Sequence, residues 1–451
     1  MSFLSSFLPR SFPYMSRRSY ALELVTTFCF AVALSMVEGG VLGNIAKRRF
    51  EDEVSPLVLN LFVAFIAAAP DIANILSFVW SSVSHTKPKI PLVNLLQLSV
   101  VILIALMAFV PDSTAGLVML AILALGARIC WSGIITLRPT IWRSNYPPHE
   151  RAHAVGNFYT VQVLVVGGVG MVAGKLLNTA PAQFPLIVLA CCAVGLGAFV
   201  ATRHQRVRQE RRMLRAELHA APAMKPWEGL AVVWQVLRRD PMWAKFMLWM
   251  FVLGLGNMLM GPVMTIVLKD QFDLGYFQSI LITSSITALV MPVAIPLWAR
   301  YLDRSHVVKF RARQTWVFVF SALSAMLGVT LGRIEFLYLT AVLQGIAYAG
   351  GSLAWNLGHV DFAPPSQTSQ YMASHVTLNG VRGLIAPFVA VGIYNFGIAH
   401  GVSLLGLSVS STAAAVVFLL SAAMAAWGAM GFGWLLKEMG ERASSPRARH
   451  A

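Results

Sequence analysis

Long apolar runs alternate with short polar or glycine- and proline-containing breaks along almost the whole chain. Most runs have about twenty or more residues, enough for an α-helix to cross a hydrocarbon core of about 30 Å. The pattern therefore predicts twelve membrane-spanning helices in two sets of six. The first set covers 20–46, 54–82, 91–110, 115–138, 152–177 and 183–202, and the second covers 241–268, 275–299, 314–332, 335–357, 370–397 and 403–435.

A single long polar stretch separates the two sets of helices. It begins with a basic run after the sixth helix and ends in an amphipathic segment. That segment is expected either to lie on the membrane surface or to pack against the bundle. Its apolar residues at helical spacing are Trp227, Leu230, Val233, Trp234 and Leu237. The predicted domains are an amino-terminal segment (1–19), a six-helix bundle (20–202), a basic linker (203–240), a second six-helix bundle (241–435) and a tail (436–451).

Composition agrees with a chain dissolved mainly in lipid. Of the 451 residues, 57% are hydrophobic and 12% charged, and the mean hydropathy is +0.67, whereas about a quarter of the residues of a soluble domain are charged. The net charge of +16 lies in short loops, not on one face. It therefore indicates topology signals and contacts with anionic lipids, and not nucleic-acid binding. The four cysteines have no metal-ligand spacing, and we expect no metal or cofactor.

The distribution of Lys and Arg predicts that both termini and the linker face the cytoplasm. One cluster breaks this rule, because Lys47, Arg48 and Arg49 follow the first predicted helix on the outer side. The chain has no Asn-X-Ser/Thr sequon, which favours a bacterial inner membrane over a glycosylated cell surface.

The two halves repeat a pattern at an offset of 222 residues. His153 and Asn157 of the fifth helix match His375 and Asn379 of the eleventh, and a Val-Gly pair follows at the same spacing in both. This match indicates a parallel duplication and two pseudo-symmetric bundles. Both histidines fall near predicted cytoplasmic helix ends, where we expect helix-end hydrogen bonding or, less simply, a place in a polar stripe.

One loop carries a family signature. Arg300, Asp303 and Arg304 stand between the eighth and ninth predicted helices, directly after Trp298 at the end of the eighth, and further basic residues follow them. This loop resembles the G-x-L-x-D-R-x-G-R-K loop of the major facilitator superfamily. The resemblance implies twelve helices in two bundles and a cytoplasmic gating loop formed by Arg300, Asp303 and Arg304. The corresponding loop of the first half has no Asp.

Charges inside predicted spans are the first candidates for function, because a charge at the bilayer centre costs at least about 2.5 to 3.5 kcal/mol. Four lie well away from the predicted helix ends, namely Glu38, Asp71, Arg128 and Arg382. Two acids and two bases could instead form a static ion-pair network. Asp71 shares a helix stripe with Asn74, which indicates a wet cavity or a helix contact, not lipid.

Further candidates combine helical spacing with the resemblance. Asn379 and Arg382 lie on one face of the eleventh helix. By the resemblance, the first, fourth, seventh and tenth helices line a central cavity, which adds Asn257, Gln344 and Tyr348 as candidates for solute or ion binding. Gln344 and Tyr348 are four residues apart and could equally form a buried polar pair between helices.

No nucleotide-binding motif occurs in the sequence, so a transporter of this kind would draw its energy from a gradient. We predict a monomeric secondary transporter that moves a small solute by alternating access. Glu38 and Asp71 are the candidates for proton coupling, and Arg128 and Arg382 for holding an anionic group. Export of hydrophobic compounds and uptake of a small anion both remain open. A sensor with a transporter-like fold is the alternative, and a membrane enzyme acting on lipid-linked substrates is a more remote one; we expect no enzyme activity.

Overall fold

The computed structural model describes residues 7–219, 226–364, 367–404 and 406–440. Every regular element in these ranges is helical. Within them, twelve helical stretches are long and apolar enough to cross a membrane, which confirms the predicted all-α, polytopic architecture. The α-helices are α1 (Tyr14–Leu34), α2 (Gly39–Arg49), α3 (Pro56–Ile75), α4 (Ser77–Ser84), α5 (Lys89–Leu106), α6 (Thr114–Asn145), α7 (Pro148–Thr179), α8 (Phe184–Arg203), α9 (Glu210–His219), α10 (Pro226–Arg239), α11 (Pro241–Asp270), α12 (Tyr276–Ile280), α13 (Ile286–Leu302), α14 (Val307–Leu331), α15 (Ile334–Leu357), α16 (Thr368–Ala399) and α17 (Val409–Met439).

Three of the predicted helices are interrupted. The first consists of α1 and α2, joined by the 3-10 turn Ser35–Val37. The second consists of α3 and α4, with a break at Leu76. The eighth contains five π-helical residues, Leu281–Ser285, between α12 and α13. Breaks of these kinds concentrate at functional sites, because they free backbone groups for other partners.

Among the helices that extend past the predicted boundaries, α6 and α14 do so by seven residues, where basic residues had marked the expected ends. α6 continues to Asn145 instead of stopping at 138, and α14 begins at Val307 instead of 314. Arg138 is 5% exposed and Arg311 is 3% exposed. Both guanidinium groups find partners inside the protein, so the helices need not end where the charges occur.

Packing divides the chain into two compact units. Unit 1 contains Met1–Glu38 and Ile72–Pro226, and unit 2 contains Gly39–Asp71 and Trp227–Ala451. The segment Gly39–Asp71, which holds α2 and most of α3, precedes unit 1 helices in the sequence but packs in unit 2. The predicted bundle boundaries at 20–202 and 241–435 describe the sequence repeat and stay a prediction.

Each unit has its own buried core. In unit 2, small side chains of α17 let that helix lie close to α11 and α14, as Gly428 shows by its contact with the backbone of Leu253. In unit 1, an aromatic cluster forms where the start of the chain meets α1, α6 and α7. Its buried rings are Phe12, Tyr20, Trp142, Tyr146 and Phe158.

The linker helix α10 packs by its second half. Val233 and Val236 are buried, and Val236 belongs to the unit 2 core, whereas Trp234 is 57% exposed and lies under the Arg238 guanidinium. The side chains of Trp227 and Leu230 lie outside the described residues. The carboxy-terminal part of this amphipathic helix therefore packs against the core of unit 2.

Candidate functional site

The break in the first span holds the first pair of predicted charges. Glu38 follows the 3-10 turn with an extended backbone (φ −64°, ψ 132°), and Gly39 begins α2. Arg128 of α6 donates from Nη2 to the Val37 carbonyl at 2.5 Å and to the Glu38 carboxylate at 3.0 Å. The Arg128 side chain is 7% exposed and that of Glu38 is 39% exposed. The pair thus joins a buried cation to an accessible carboxylate at a helix break.

A second ion pair in unit 1 is more fully buried. Arg138 Nε is 3.3 Å from Glu23 Oε1, and each side chain is 6% exposed. Trp142 donates from Nε1 to the same Glu23 oxygen at 3.2 Å. Arg138 follows Arg128 by ten residues, which places it about 15 Å further along α6.

The sequence reasoning missed this second pair because both charges fell near predicted helix ends, where side chains are ordinarily solvated. Glu23 lies three residues inside the first predicted helix, and Arg138 is the last residue of the fourth. The available signal was composition, since both residues are flanked by apolar and aromatic positions. A cavity of about 100 Å³ lies beside the pair and is lined by Arg138 and by the aromatic side chains of Trp131, Trp142, Phe158 and Tyr159.

The second pair of predicted charges lies in unit 2, where an amide joins them. Asn379 of α16 donates from Nδ2 to the Asp71 carboxylate at 2.8 Å. Its Oδ1 accepts from Arg382, whose Nη1 also donates to the Met250 carbonyl at 2.5 Å. Asp71 and Arg382 are close enough for their charges to interact. The structure therefore brings together Asp71, Asn379 and Arg382, as the helical spacing suggested for the last two.

Two glycines give this network its room. A Cβ atom at Gly383 would lie 2.5 Å from Asp71 Oδ2 and closer still to Asp71 Cβ and Cγ. A Cβ atom at Gly254 would clash with the Arg382 guanidinium. Any larger residue at either position would displace one of the two charges, so the network depends on the absence of these side chains.

The other predicted polar residues of unit 2 contact α11. Asn257 Nδ2 donates to the Tyr348 hydroxyl at 3.2 Å. Gln344 Nε2 lies 3.9 Å from the Met260 sulfur. Gln344 and Tyr348 of α15 thus make polar contacts with residues of α11, and their role in solute or ion binding stays a prediction. In the described part of the chain, the Asn74 side chain makes no hydrogen bond.

Unit 2 also buries basic residues that the sequence reasoning did not select. Arg311 donates to Gln314 Oε1 at 2.9 Å, and no acidic residue among those described forms an ion pair with it. His375 is 2% exposed and packs against the Trp355 ring at 4.0 Å. Neither ring nitrogen of His375 has a hydrogen-bond partner within the described ranges, so the expectation of helix-end hydrogen bonding is wrong for this residue. His153 does lie 3.6 Å from Glu150 in the first turn of α7.

The basic cluster that broke the topology rule has partners inside unit 2. Lys47 is 2% exposed and lies 2.9 Å from the Asp270 carboxylate and 2.8 Å from Asn60 Oδ1. Arg48 donates to the Leu274 carbonyl and, at 2.6 Å, to the Ser279 hydroxyl. These charges therefore hold the segment Gly39–Asp71 to α11 and α12.

The predicted gating loop makes few contacts. Arg300, Asp303 and Arg304 are exposed, and the Asp303 carboxylate has no hydrogen bond to any described residue. The backbone N–H of Val307, which begins α14, donates to Asp361 Oδ2 at 2.8 Å. The start of α14 is thus contacted by Asp361, from the turn after α15, and not by Asp303. The gating role of the loop stays a prediction.

In unit 1 the linker serves the corresponding helix start. Glu217 of α9 accepts from the backbone N–H of Thr86 at 2.8 Å and pairs with Lys89 Nζ at 2.9 Å. Glu210 accepts from the backbone N–H of Lys89 at 3.3 Å. The first half lacks the Asp of the signature. Two carboxylates of the linker instead place negative charge at the start of α5.

One group outside the spans whose pKa is shifted by burial is His359, in the turn after α15. It is 8% exposed, and burial lowers the pKa of its imidazole, although the neighbouring Asp361 partly opposes the shift. In the described part of the chain, no three His, Cys, Asp or Glu side chains are grouped so as to hold a metal ion.

Comparison with known proteins agrees with the geometry. The sequence profile of the Major Facilitator Superfamily matches residues 19–387. A search of curated proteins finds no match. Three similar solved structures are a D-xylose-proton symporter (13% identity, 95% of this chain and 99% of that chain, TM-score 0.69), an auto-inhibited POT family peptide transporter (17%, 93% and 97%, 0.67) and the nucleoside transporter NupG (12%, 94% and 100%, 0.62).

Proposed function

The chain belongs to the Major Facilitator Superfamily, and we propose that it is a secondary transporter that couples proton movement to the passage of a small solute. It is an integral, multi-pass membrane protein with twelve candidate spans. The solved structures similar to it include one titled as a sugar-proton symporter and others titled as peptide and nucleoside transporters. Transport of a small solute by alternating access is the function that the charged sites support best.

Asp71 is the proposed coupling residue, and its hydrogen bond to Asn379 carries the argument. An ionised carboxylate accepts the amide N–H and is attracted by the nearby Arg382. Protonation removes most of that attraction and weakens the hydrogen bond. Because Asp71 is only partly buried, a proton can reach it without complete opening of the fold. Proton binding would therefore loosen the attachment of α3 to α16.

The segment Gly39–Asp71 would transmit this change. Lys47 binds Asp270 near one end of the segment, and Asp71 binds Asn379 at the other. We propose that the segment leaves unit 2 when the protein changes the side of the membrane to which it opens. The two polar attachments would then be the contacts that break, and protonation of Asp71 would lower the free energy needed to break one of them.

Glu38 and Arg128 form the second proposed site. The helix break places an accessible carboxylate and freed backbone groups within the first span, an arrangement that transporters use for solute and ion binding. Protonation of Glu38 would free Arg128 to bind an anionic group. Of the two open alternatives, we therefore propose uptake of a small anion and not export of hydrophobic compounds. The candidates Asn74, Asn257, Gln344 and Tyr348 have no assigned contact with a solute and stay predictions.

The distribution of Lys and Arg supports a proposal about the membrane and the orientation of the protein in it. We propose that the protein lies in a bacterial inner membrane with both termini in the cytoplasm, and that it works as a monomer. The basic surface of the linker helix α9 would contact anionic lipid headgroups.

The proposal is tested by flux in proteoliposomes. A thermal-shift screen of the purified protein against metabolites at pH 5.5 and 7.5 first identifies a solute that stabilises it. Uptake of that labelled solute should follow an imposed pH gradient and stop when an ionophore collapses the gradient. Asp71→Asn should bind the solute but lose the dependence on the gradient.

Two outcomes would count against it. Uptake that is unchanged after collapse of the gradient would exclude proton coupling. Binding of the solute without any flux, in vesicles that hold correctly folded protein, would favour the sensor alternative. Asp52→Asn, a neutralised acid in the exposed loop between α2 and α3, is the matched control and should leave flux unchanged.

A further inference from the structure

The cavity in unit 1 has the chemistry of a binding site for an aromatic anion. We propose that it binds a small carboxylate carrying a single aromatic ring, with the carboxylate at Arg138 and the ring between aromatic walls. This inference deepens the proposed function, on which it rests only in taking the bound anion to be the transported solute.

Aromatic side chains form most of the cavity wall. Trp131 and Trp142 of α6 line it together with Phe158 and Tyr159 of α7. Trp142 meets Tyr159 edge to face, with ring centroids 6.3 Å apart. Rings in this arrangement offer both faces and edges to a planar guest. Tyr159 is 47% exposed, so the cavity is open on that side and a ligand can enter.

The charge of the cavity wall is positive. The guanidinium of Arg138 lies over the Trp131 ring, 5.8 Å from its centroid. Its Nε pairs with Glu23, whereas its Nη2 is buried and has no hydrogen-bond partner among the described residues. A buried, unsatisfied donor of a charged group costs about 1 to 3 kcal/mol or more. Arg138 also lines the cavity, so a carboxylate bound there would lie against this positive charge.

Glu23 does not make the cavity a cation site. Its side chain is 6% exposed, and it does not line the cavity. One of its oxygens already accepts from Trp142 and forms the ion pair with Arg138. A bound cation would meet the guanidinium of Arg138 instead of the carboxylate, so the accessible charge selects an anion.

The volume limits the ligand. The cavity measures about 100 Å³, whereas an engineered apolar cavity of about 150 Å³ holds benzene. One ring therefore fits only if part of the ligand extends through the open side by Tyr159. Gln162 also lines the cavity and supplies a neutral hydrogen-bonding group beside Arg138. Two fused rings would exceed the space.

The test is calorimetric binding to the purified full-length protein in detergent, with benzoate as the probe. Three comparison compounds remove one feature each: acetate lacks the ring, benzyl alcohol lacks the charge, and benzylammonium reverses it. We expect benzoate to bind at least about tenfold more tightly than each of them. Equal or tighter binding of benzyl alcohol or benzylammonium, or no benzoate binding at all, would overturn the proposal.

Variants then locate the site. Removing Arg138 alone would strand the Glu23 charge, so the double variant Glu23→Gln with Arg138→Gln keeps the pair neutral. It should lose benzoate binding, whereas Arg143→Gln, an exposed position on the same helix, should retain it. Trp131→Leu should weaken binding about tenfold. If the double variant does not fold, Trp131→Leu alone decides, and an unchanged affinity in it overturns the proposal.

Binding and transport can fail separately. Benzoate binding without flux would leave this site intact and contradict the transport of its ligand. Proton-driven flux of another solute by a protein that does not bind benzoate would contradict this site and leave the transporter function intact.

Discussion

Replacing Gly383 with alanine should push α3 away from α16. The added Cβ would lie 2.5 Å from Asp71 Oδ2 and closer to Asp71 Cβ, whereas unbonded carbon atoms are ordinarily about 3.5 to 4.0 Å apart. A rotation of the Asp71 side chain cannot move its own Cβ. The backbone of α3 must therefore shift by about 1 Å or more, which breaks the 2.8 Å hydrogen bond from Asn379.

The size of the effect follows from two contributions. Loss of a hydrogen bond to a charged group costs about 1.5 to 3 kcal/mol, and overpacking of a close helix contact costs about 1 to 3 kcal/mol. The sum, about 2.5 to 6 kcal/mol, corresponds to more than about a thirtyfold change in the equilibrium that holds the segment in unit 2. Gly392→Ala is the matched control. Gly392 lies on the same helix, a Cβ atom there meets no atom within 4 Å, and the substitution gains the same helix propensity.

The assay is the reactivity of a single thiol in the segment. Ala64 is fully buried in the unit 2 core, so Ala64→Cys, in a background with the four native cysteines replaced by alanine, should resist maleimide. Labelling should become at least about thirtyfold faster when Gly383→Ala is added, and unchanged when Gly392→Ala is added. Equal, slow labelling of both variants, with equal melting temperatures, would refute the described packing of α3 on α16.

Two further perturbations address other contacts. Lys47→Met leaves the carboxylate of Asp270 without its partner. It should destabilise the protein by up to about 3 kcal/mol and no more, because the Asp270 side chain keeps some solvent contact. Adding Asp270→Asn should restore part of the lost stability in thermal unfolding, and no recovery would contradict the pairing. His359 has a lowered pKa in the folded protein, so the unfolded chain binds its proton first as the pH falls below about 6.5. The parent should therefore lose more thermal stability than His359→Gln between pH 7.5 and 5.5, and parallel losses would show that burial of this imidazole is not what the acid disrupts.

Sequence-based reasoning selected four of the charged residues that lie within the spans. Glu38, Asp71, Arg128 and Arg382 stood out because each lies far from a predicted helix end, where the cost of burying a charge demands an explanation. Asn379 followed from helical spacing. The Glu23–Arg138 pair was missed because the cost of burying a charge is small at a helix end. The first helix was predicted to begin at 20 but begins at Tyr14, and the fourth was predicted to end at 138 but continues to Asn145.

The sequence by itself determined the number of spans and the all-α class. Hydrophobic thickness sets the length of an apolar run, and backbone hydrogen bonding in lipid demands helices, so both are local properties of the chain. Only the tertiary structure decided which charge meets which partner. Asp71 bonds to Asn379, 308 residues away, and Lys47 pairs with Asp270, so that a cluster that looks like a topology exception becomes an attachment within unit 2. Such pairings depend on which helices pack together, and neither periodicity nor composition encodes that choice.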